Sequence, residues 1–114
     1  MKIHQPIIVT VSYPNMDTAR MQAEQLIEKK LIACAQFTNI ESMYRWQNQV
    51  QQSQEVLLQA KTIQSLWQDI LSAIKSTHPY EVPEIIATPV IEIDQAYLSW
   101  MLGELGISGQ QIHA

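Results

Sequence analysis

Glycine is nearly missing from this chain: there are three, all after residue 102. No glycine-rich loop able to cradle a phosphate can be built before that point, and Gly-x-Ser-x-Gly, CxxC and HExxH are absent too. Enzyme chemistry finds little support: Glu81 and Glu84, three apart, could mimic a carboxylate pair, but the surrounding signal is too weak, and no catalytic residue or required cofactor is assigned. Cysteine is scarcer still. Cys34 is the one thiol, which excludes an internal disulfide. In the context Leu31-Ile32-Ala33-Cys34-Ala35 it reads as a small buried hydrophobe, with a thiolate ligand or redox centre as the alternative. Basic charge is thin: seven Lys and Arg against eleven Asp and Glu give a net charge of −4. The basic residues are dispersed rather than aligned, so nucleic acid is not an expected partner. The one adjacent pair, Lys29-Lys30, falls where a helix should end, and there cations complement the helix dipole. No apolar run approaches the ~18 residues of a membrane span. The first residues lack a leader pattern, so no membrane partner and a reduced, cytoplasmic setting are expected.

Apolar side chains, by contrast, are plentiful: 46% of 114 residues, with 16% charged. The length fits a single domain, residues 1–114, with a frayed tail from about residue 106. One domain of this size cannot hide so much apolar surface, so self-association is expected. Chemistry concentrates in His78-Pro79-Tyr80-Glu81-Val82-Pro83-Glu84. The two prolines fix φ and bias His78 and Val82 away from helix, leaving a stiff, extended segment. It carries an imidazole, a phenol and carboxylates, groups that bind metals, anions or protons.

Periodicity orders the rest. Residues 6–13 are a β-branched first strand, closed by Pro14-Asn15. A helix over 16–30 follows, with Asn15 as N-cap and Ala19, Ala23, Leu26, Ile27 and Lys30 on its inward stripe. Residues 32–46 form a long second strand, with a bulge or bend expected at Thr38-Asn39. Gln47-Asn48-Gln49 turns the chain, with Asn48 suited to positive φ. Residues 50–53 extend the ribbon, and 55–62 return as strand three. A second helix should begin near Thr62, capped by Thr62 or Ser65. Its stripe is Ile63, Leu66, Trp67, Ile70, Leu71 and Ile74, with Trp67 in the core. Strand four is expected over 85–93, with Pro89 marking an edge or bulge. Asp94 caps a terminal helix that ends at Gly103 or Gly106. The order is βαββαβ plus a helix: an α+β, ferredoxin-like sandwich with both crossover helices on one sheet face. The other face lacks a cover, and another copy of the chain is the simplest lid.

The residues Leu31-Ile32-Ala33-Cys34-Ala35, Ser42-Met43-Tyr44-Arg45-Trp46, Glu55-Val56-Leu57-Leu58, Lys61-Thr62, the 78–84 block and Tyr97-Leu98-Ser99-Trp100 occur in this order. Together they closely resemble the CutA family of divalent-cation tolerance proteins, over roughly residues 8–102. The resemblance implies a tight homotrimer, similar in architecture to the PII signalling proteins, in which the long second and third strands reach across to neighbours. It also implies a link to divalent-metal tolerance, with copper binding proposed for some members and no established reaction. Some bacterial relatives carry a cysteine near the end of strand one and a His-His pair before Pro-Tyr. Val11 and Thr77-His78 occupy those positions here, so only His78 is kept. The turn that commonly reads Glu-Gly-Lys is Gln47-Asn48-Gln49, without either charge.

His78, with Glu81 and Glu84, is the candidate set for a divalent metal, copper or zinc. The alternative is that His78 hydrogen-bonds backbone at a helix terminus. Cys34, Tyr44, Trp46, Glu55, Lys61, Tyr80, Tyr97 and Trp100 are candidates to line an intersubunit cleft holding a small anion or ion. An interface glued by aromatics is the competing account. Glu84 and Lys61 are expected to form a partly buried ion pair. Three functions stay open: weak metal binding in tolerance, a PII-like sensor of a small anionic ligand through Lys61, and a trimeric scaffold for protein partners. His4 and His113 receive no role.

Overall fold

The computed structural model describes residues 4–107, so the expected tail from 108 and His113 lie outside the described residues. Strand β1 (Pro6–Tyr13) leads into helix α1 (Met16–Glu28), then β2 (Cys34–Trp46) and β3 (Gln49–Ile63). A 3₁₀ turn (Gln64–Leu66) precedes α2 (Trp67–Lys75), followed by β4 (Ile85–Pro89) and α3 (Gln95–Glu104). The sheet order is β2-β3-β1-β4, antiparallel throughout. That is the ferredoxin-like order expected from the sequence.

Alternation builds the core. Ile7, Val9, Val11 and Tyr13 on β1 share a sheet face with Val56, Leu58 and Ala60 on β3, all buried. Onto this face α1 lays Ala19, Ala23 and Leu26, and α2 lays Ile70 and Ile74. Asn15 caps α1 as expected, its side-chain oxygen accepting from the Thr18 N–H at 2.8 Å. Ile27, expected inward, is exposed, and Gln22 is buried instead. Past the C-cap Lys29, Lys30 takes φ 59°. Lys30 N–H donates to Ile27 O and Leu31 N–H to Leu26 O, a Schellman closure with lysine in the place usually held by glycine. The same closure ends α3 through Gly106, φ 76°. Ile107 packs on the cluster it completes, so the chain is ordered past residue 106.

The expected bulge at Thr38-Asn39 does not form. β2 and β3 pair without a slip from Cys34↔Lys61 to Trp46↔Gln49. Asn39 adds no extra residue to the ladder and simply faces Val56. Gln47 (φ 52°) and Asn48 (φ 65°) make a two-residue hairpin turn, and Gln49 already belongs to the strand. The ribbon gives the molecule its length, 51 × 26 × 22 Å.

Helix α2 starts later than expected because β3 continues to Ile63. Thr62 does not cap. It is buried in the strand, with Oγ1 donating to Leu31 O at 2.6 Å, and Ser65 does not cap either. Ile63 points to the opposite sheet face, where Leu102 of α3 and Leu105, its C-cap, cover it. That face is thus partly lidded by the chain's own last helix, which Asp94 caps by accepting from Tyr97 N–H at 3.2 Å. Trp67, expected in the core, is half-buried. β4 stops at Pro89, short of residue 93, and lies at the sheet edge, where the missing proline N–H costs least.

The carbonyls of Pro6 and Ile8 point toward β4, receiving Val90 N–H and Thr88 Oγ1. By strand alternation the Ser12 carbonyl points the same way. β4 begins opposite Val11, one position too late to meet it. A side chain fills that gap.

Candidate functional site

The side chain is His78. Just past α2, its N–H still donates to Ile74 O at 2.9 Å, and the ring then turns back onto β1. Nδ1 accepts from the Tyr80 N–H at 3.0 Å. Nε2 lies 2.7 Å from the Ser12 carbonyl and must donate to it. The two bonds together fix the neutral imidazole with its proton on Nε2. The ring stacks on Tyr13 with centroids 4.6 Å apart and meets Tyr80 at 4.9 Å. Burial lowers the His78 pKa, opposed by the Ser12 bond and the field of Glu55. Both ring nitrogens are therefore spent on backbone, the alternative reading of this residue. Coordination of a metal by His78 would require one of these bonds to break.

By holding the Tyr80 backbone, His78 positions the Tyr80 phenol, which donates to Glu55 Oε2 at 2.6 Å. Glu55 is only 8% exposed. Burial first, then the bond to Glu55, pushes the Tyr80 pKa well up, so the phenol stays a donor. A cleft of about 640 Å³ opens over this pair. Tyr44, Trp46, Glu55, Tyr80, Glu81 and Glu84 all line it, joined by Ser12, Ser42 and Val82. Six of the candidate residues thus converge. The lining holds three carboxylates and no Lys, Arg or His.

The remaining candidates lie elsewhere. Cys34 pairs with Lys61 and Ile40 with Glu55, six ladder positions apart, or roughly 20 Å along the ribbon. At that far end Lys61 Nζ sits 5.7 Å from the Tyr97 ring centroid, and Tyr97 meets Trp100 at 5.5 Å. Burial, then the adjacent Cys34 thiol, raises the Tyr97 pKa. Cys34 is half-buried rather than buried. The expected Glu84–Lys61 ion pair does not form: Glu84 precedes Ile85, which faces Val11, whereas Lys61 faces Ile8. An anion held by both Lys61 and the Tyr44–Trp46 aromatics finds no shared cavity in the single chain.

Sequence reasoning missed Tyr13 and Ser12. Tyr13 was a strand residue by pattern, and its role as the floor under His78 depends on where the chain returns after α2. Its hydroxyl, like Ser53 Oγ, is buried with no hydrogen-bond partner. Among the described residues no three His, Cys, Asp or Glu side chains gather as a ligand set for a metal ion. No helix among them is long and apolar enough to cross a membrane.

Comparison with known proteins agrees with the fold and extends over nearly all of it. The family profile described as CutA1 divalent ion tolerance protein matches residues 7–104. The divalent-cation tolerance protein CutA of Thermus thermophilus is 37% identical over 100 residues, covering 87% of this chain and 97% of that protein. The crystal structure of CutA1 from Oryza sativa superimposes with a TM-score of 0.85 at 37% identity, over 88% of this chain and 93% of the other. CutA1 from a psychrotrophic Shewanella gives a TM-score of 0.83 at 38% identity, over 87% and 94% respectively.

Proposed function

The chain belongs to the CutA1 divalent ion tolerance family, and from that premise we propose that it acts by weak, reversible association of a divalent cation, copper or zinc, with its acidic cleft. One observation carries the reading: Glu55, Glu81 and Glu84 line one cavity from which basic side chains are absent. Glu81 and Glu84 are exposed and offer oxygen donors at the rim, while Glu55 supplies a buried negative charge behind them. Among the described residues no three-residue ligand set forms, and an ion held at the rim would keep much of its water and exchange readily. His78 acts in this reading as a positioning residue, through Tyr80, rather than as a ligand. No catalytic step and no resident cofactor are invoked.

The same reading includes a homotrimer. Met43, Tyr44, Trp46 and Val50 stand exposed on the projecting ribbon, and a neighbouring copy would bury them and wall the cleft. Isothermal titration of Cu²⁺ and Zn²⁺ into the wild type and the Glu81→Gln/Glu84→Gln double variant tests the cation site. The variant should lose most of the binding heat. Equal heats would remove the cleft from the function.

A further inference from the structure

We infer that His78 is a proton-operated latch: uptake of a proton at Nδ1 unties residues 79–84 from the body of the chain. The latch needs no cation in the cleft. Its bonds all lie within one chain, so it works whether or not a neighbouring copy completes the cleft wall.

Few ties hold this segment. Residues 79–84 belong to no helix or strand, and Pro79 and Pro83 have no N–H to donate. Among the described residues two hydrogen bonds fasten it, both through Tyr80. The Tyr80 N–H donates to His78 Nδ1 at 3.0 Å, and the Tyr80 hydroxyl donates to Glu55 Oε2 at 2.6 Å. One of the two therefore ends on a titratable atom. The ring answers a proton in one direction only. Its Nε2–H bond to the Ser12 carbonyl at 2.7 Å and its stack on Tyr13 survive, whereas a protonated Nδ1 can no longer accept. The imidazolium stays seated on β1 and lets go of the Tyr80 amide.

The surroundings of the ring set where this happens. Tyr13 of β1 and Tyr80 remain neutral phenols, both pKa values raised chiefly by burial. Among the described residues Glu55 of β3 supplies the one charge whose field reaches the ring. From α1 comes Gln22, uncharged, whose Oε1 accepts from the Thr77 hydroxyl beyond α2 at 3.2 Å. Tyr44 of β2 acts on Tyr80 rather than on the ring. Burial outweighs Glu55, so the ring stays neutral until pH falls below its ordinary 6.5. Once charged, it has the Glu55 carboxylate as its counter-charge. Pro79, Tyr80, Glu81, Val82 and Glu84 line one side of the cleft, so untying them changes its shape. Two prolines keep the segment stiff, and it moves as one piece.

The test follows two signals on the full chain, as it assembles, from about pH 7.5 to about pH 5. Nitrogen NMR reads the protonation of the His78 ring, and amide hydrogen exchange, corrected for intrinsic rates, reads the Tyr80 N–H. At neutral pH the ring should be the Nε2–H tautomer. As it titrates, protection of the Tyr80 amide should fall about tenfold or more with the same midpoint, while β1 and β3 amides keep theirs. Tyr80→Phe removes the other tie and should deepen that fall within the same titration. His78→Asn, with circular dichroism confirming that it folds, should show no step. Four results would each overturn the latch. They are an Nδ1–H tautomer at neutral pH, Tyr80 protection unchanged while the ring titrates, loss of protection by sheet and segment together, and a step that survives in His78→Asn. Should His78→Asn not fold, the ring titration, the Tyr80 exchange and Tyr80→Phe still decide.

Discussion

At His78 one imidazole serves two backbone groups of opposite polarity, the Ser12 carbonyl and the Tyr80 N–H. Only the neutral ring can do both, since a second ring proton would face the Tyr80 N–H donor to donor. The folded pKa is accordingly lowered, chiefly by burial, from its ordinary value of 6.5. The folded state then binds fewer protons than the unfolded one, so stability rises with pH through that interval. His78 should contribute fully above pH 6.5 and lose its contribution as pH falls through the lowered value. Thermal melts across that window should show the decline, and His78→Asn should flatten it. Tyr80→Phe makes a separate claim. It strips Glu55 of its donor at 2.6 Å and should cost about 1–3 kcal/mol in urea unfolding. The residue types of this segment were legible in the sequence, because an imidazole, a phenol and carboxylates stood out between prolines. Their orientation was not: it is set by Tyr13 and Ser12, more than sixty residues away along the chain.

Among the elements, the caps of α1 and α3 were legible, whereas the one expected for α2 at Thr62 or Ser65 does not form. Asn15 and Asp94 hold the first turns that their positions implied, because a cap is a bond between residues three apart. Helix ends were less so. Lys30 adopts a left-handed conformation that sequence rules reserve for glycine, and it is kept there by the Schellman bonds and by Leu31 returning to the core side. Lys30→Gly should therefore stabilise the protein by about 0.5–1 kcal/mol, since relief of the αL penalty exceeds the entropy cost of glycine. A matched pair of denaturation curves would check it; a loss of stability would mean the lysine stem packs more strongly than the backbone strains. The ribbon escaped sequence reading for a different reason. Its polar residues broke the apolar pattern at Thr38-Asn39 and at residues 50–54, yet cross-strand pairing carries through both without interruption. The ladder is made by backbone groups, so polar side chains do not interrupt it.

For the molecule as a whole, the element order and sheet topology followed from the sequence, and the division of the candidate residues did not. Lys61 and Glu55 are six residues apart on one strand, close in sequence and far apart in a chain that rises about 3.3 Å per residue. Distance along a strand keeps its length, whereas helices and turns fold it away. The exposed apolar residues of the ribbon belong to this scale too. Sedimentation velocity at micromolar concentration should report a trimer. Met43→Glu combined with Val50→Glu should shift the protein toward a single copy, if that surface is the contact. A wild type that sediments as one copy would remove the assembly from the proposal.

The late start of β4 has one more result. β1 is left with a single carbonyl beyond its neighbour's reach, and a ring nitrogen rather than a peptide amide answers it. A foreign peptide hoping to zip onto that margin finds the docking point already taken, and by a group that offers no continuing edge to extend. Acid leaves that plug in place, because the charged ring still donates through Nε2, and takes away the Nδ1 bond to the Tyr80 amide instead. That margin therefore stays shut as pH falls, while the grip on the 78–84 segment loosens.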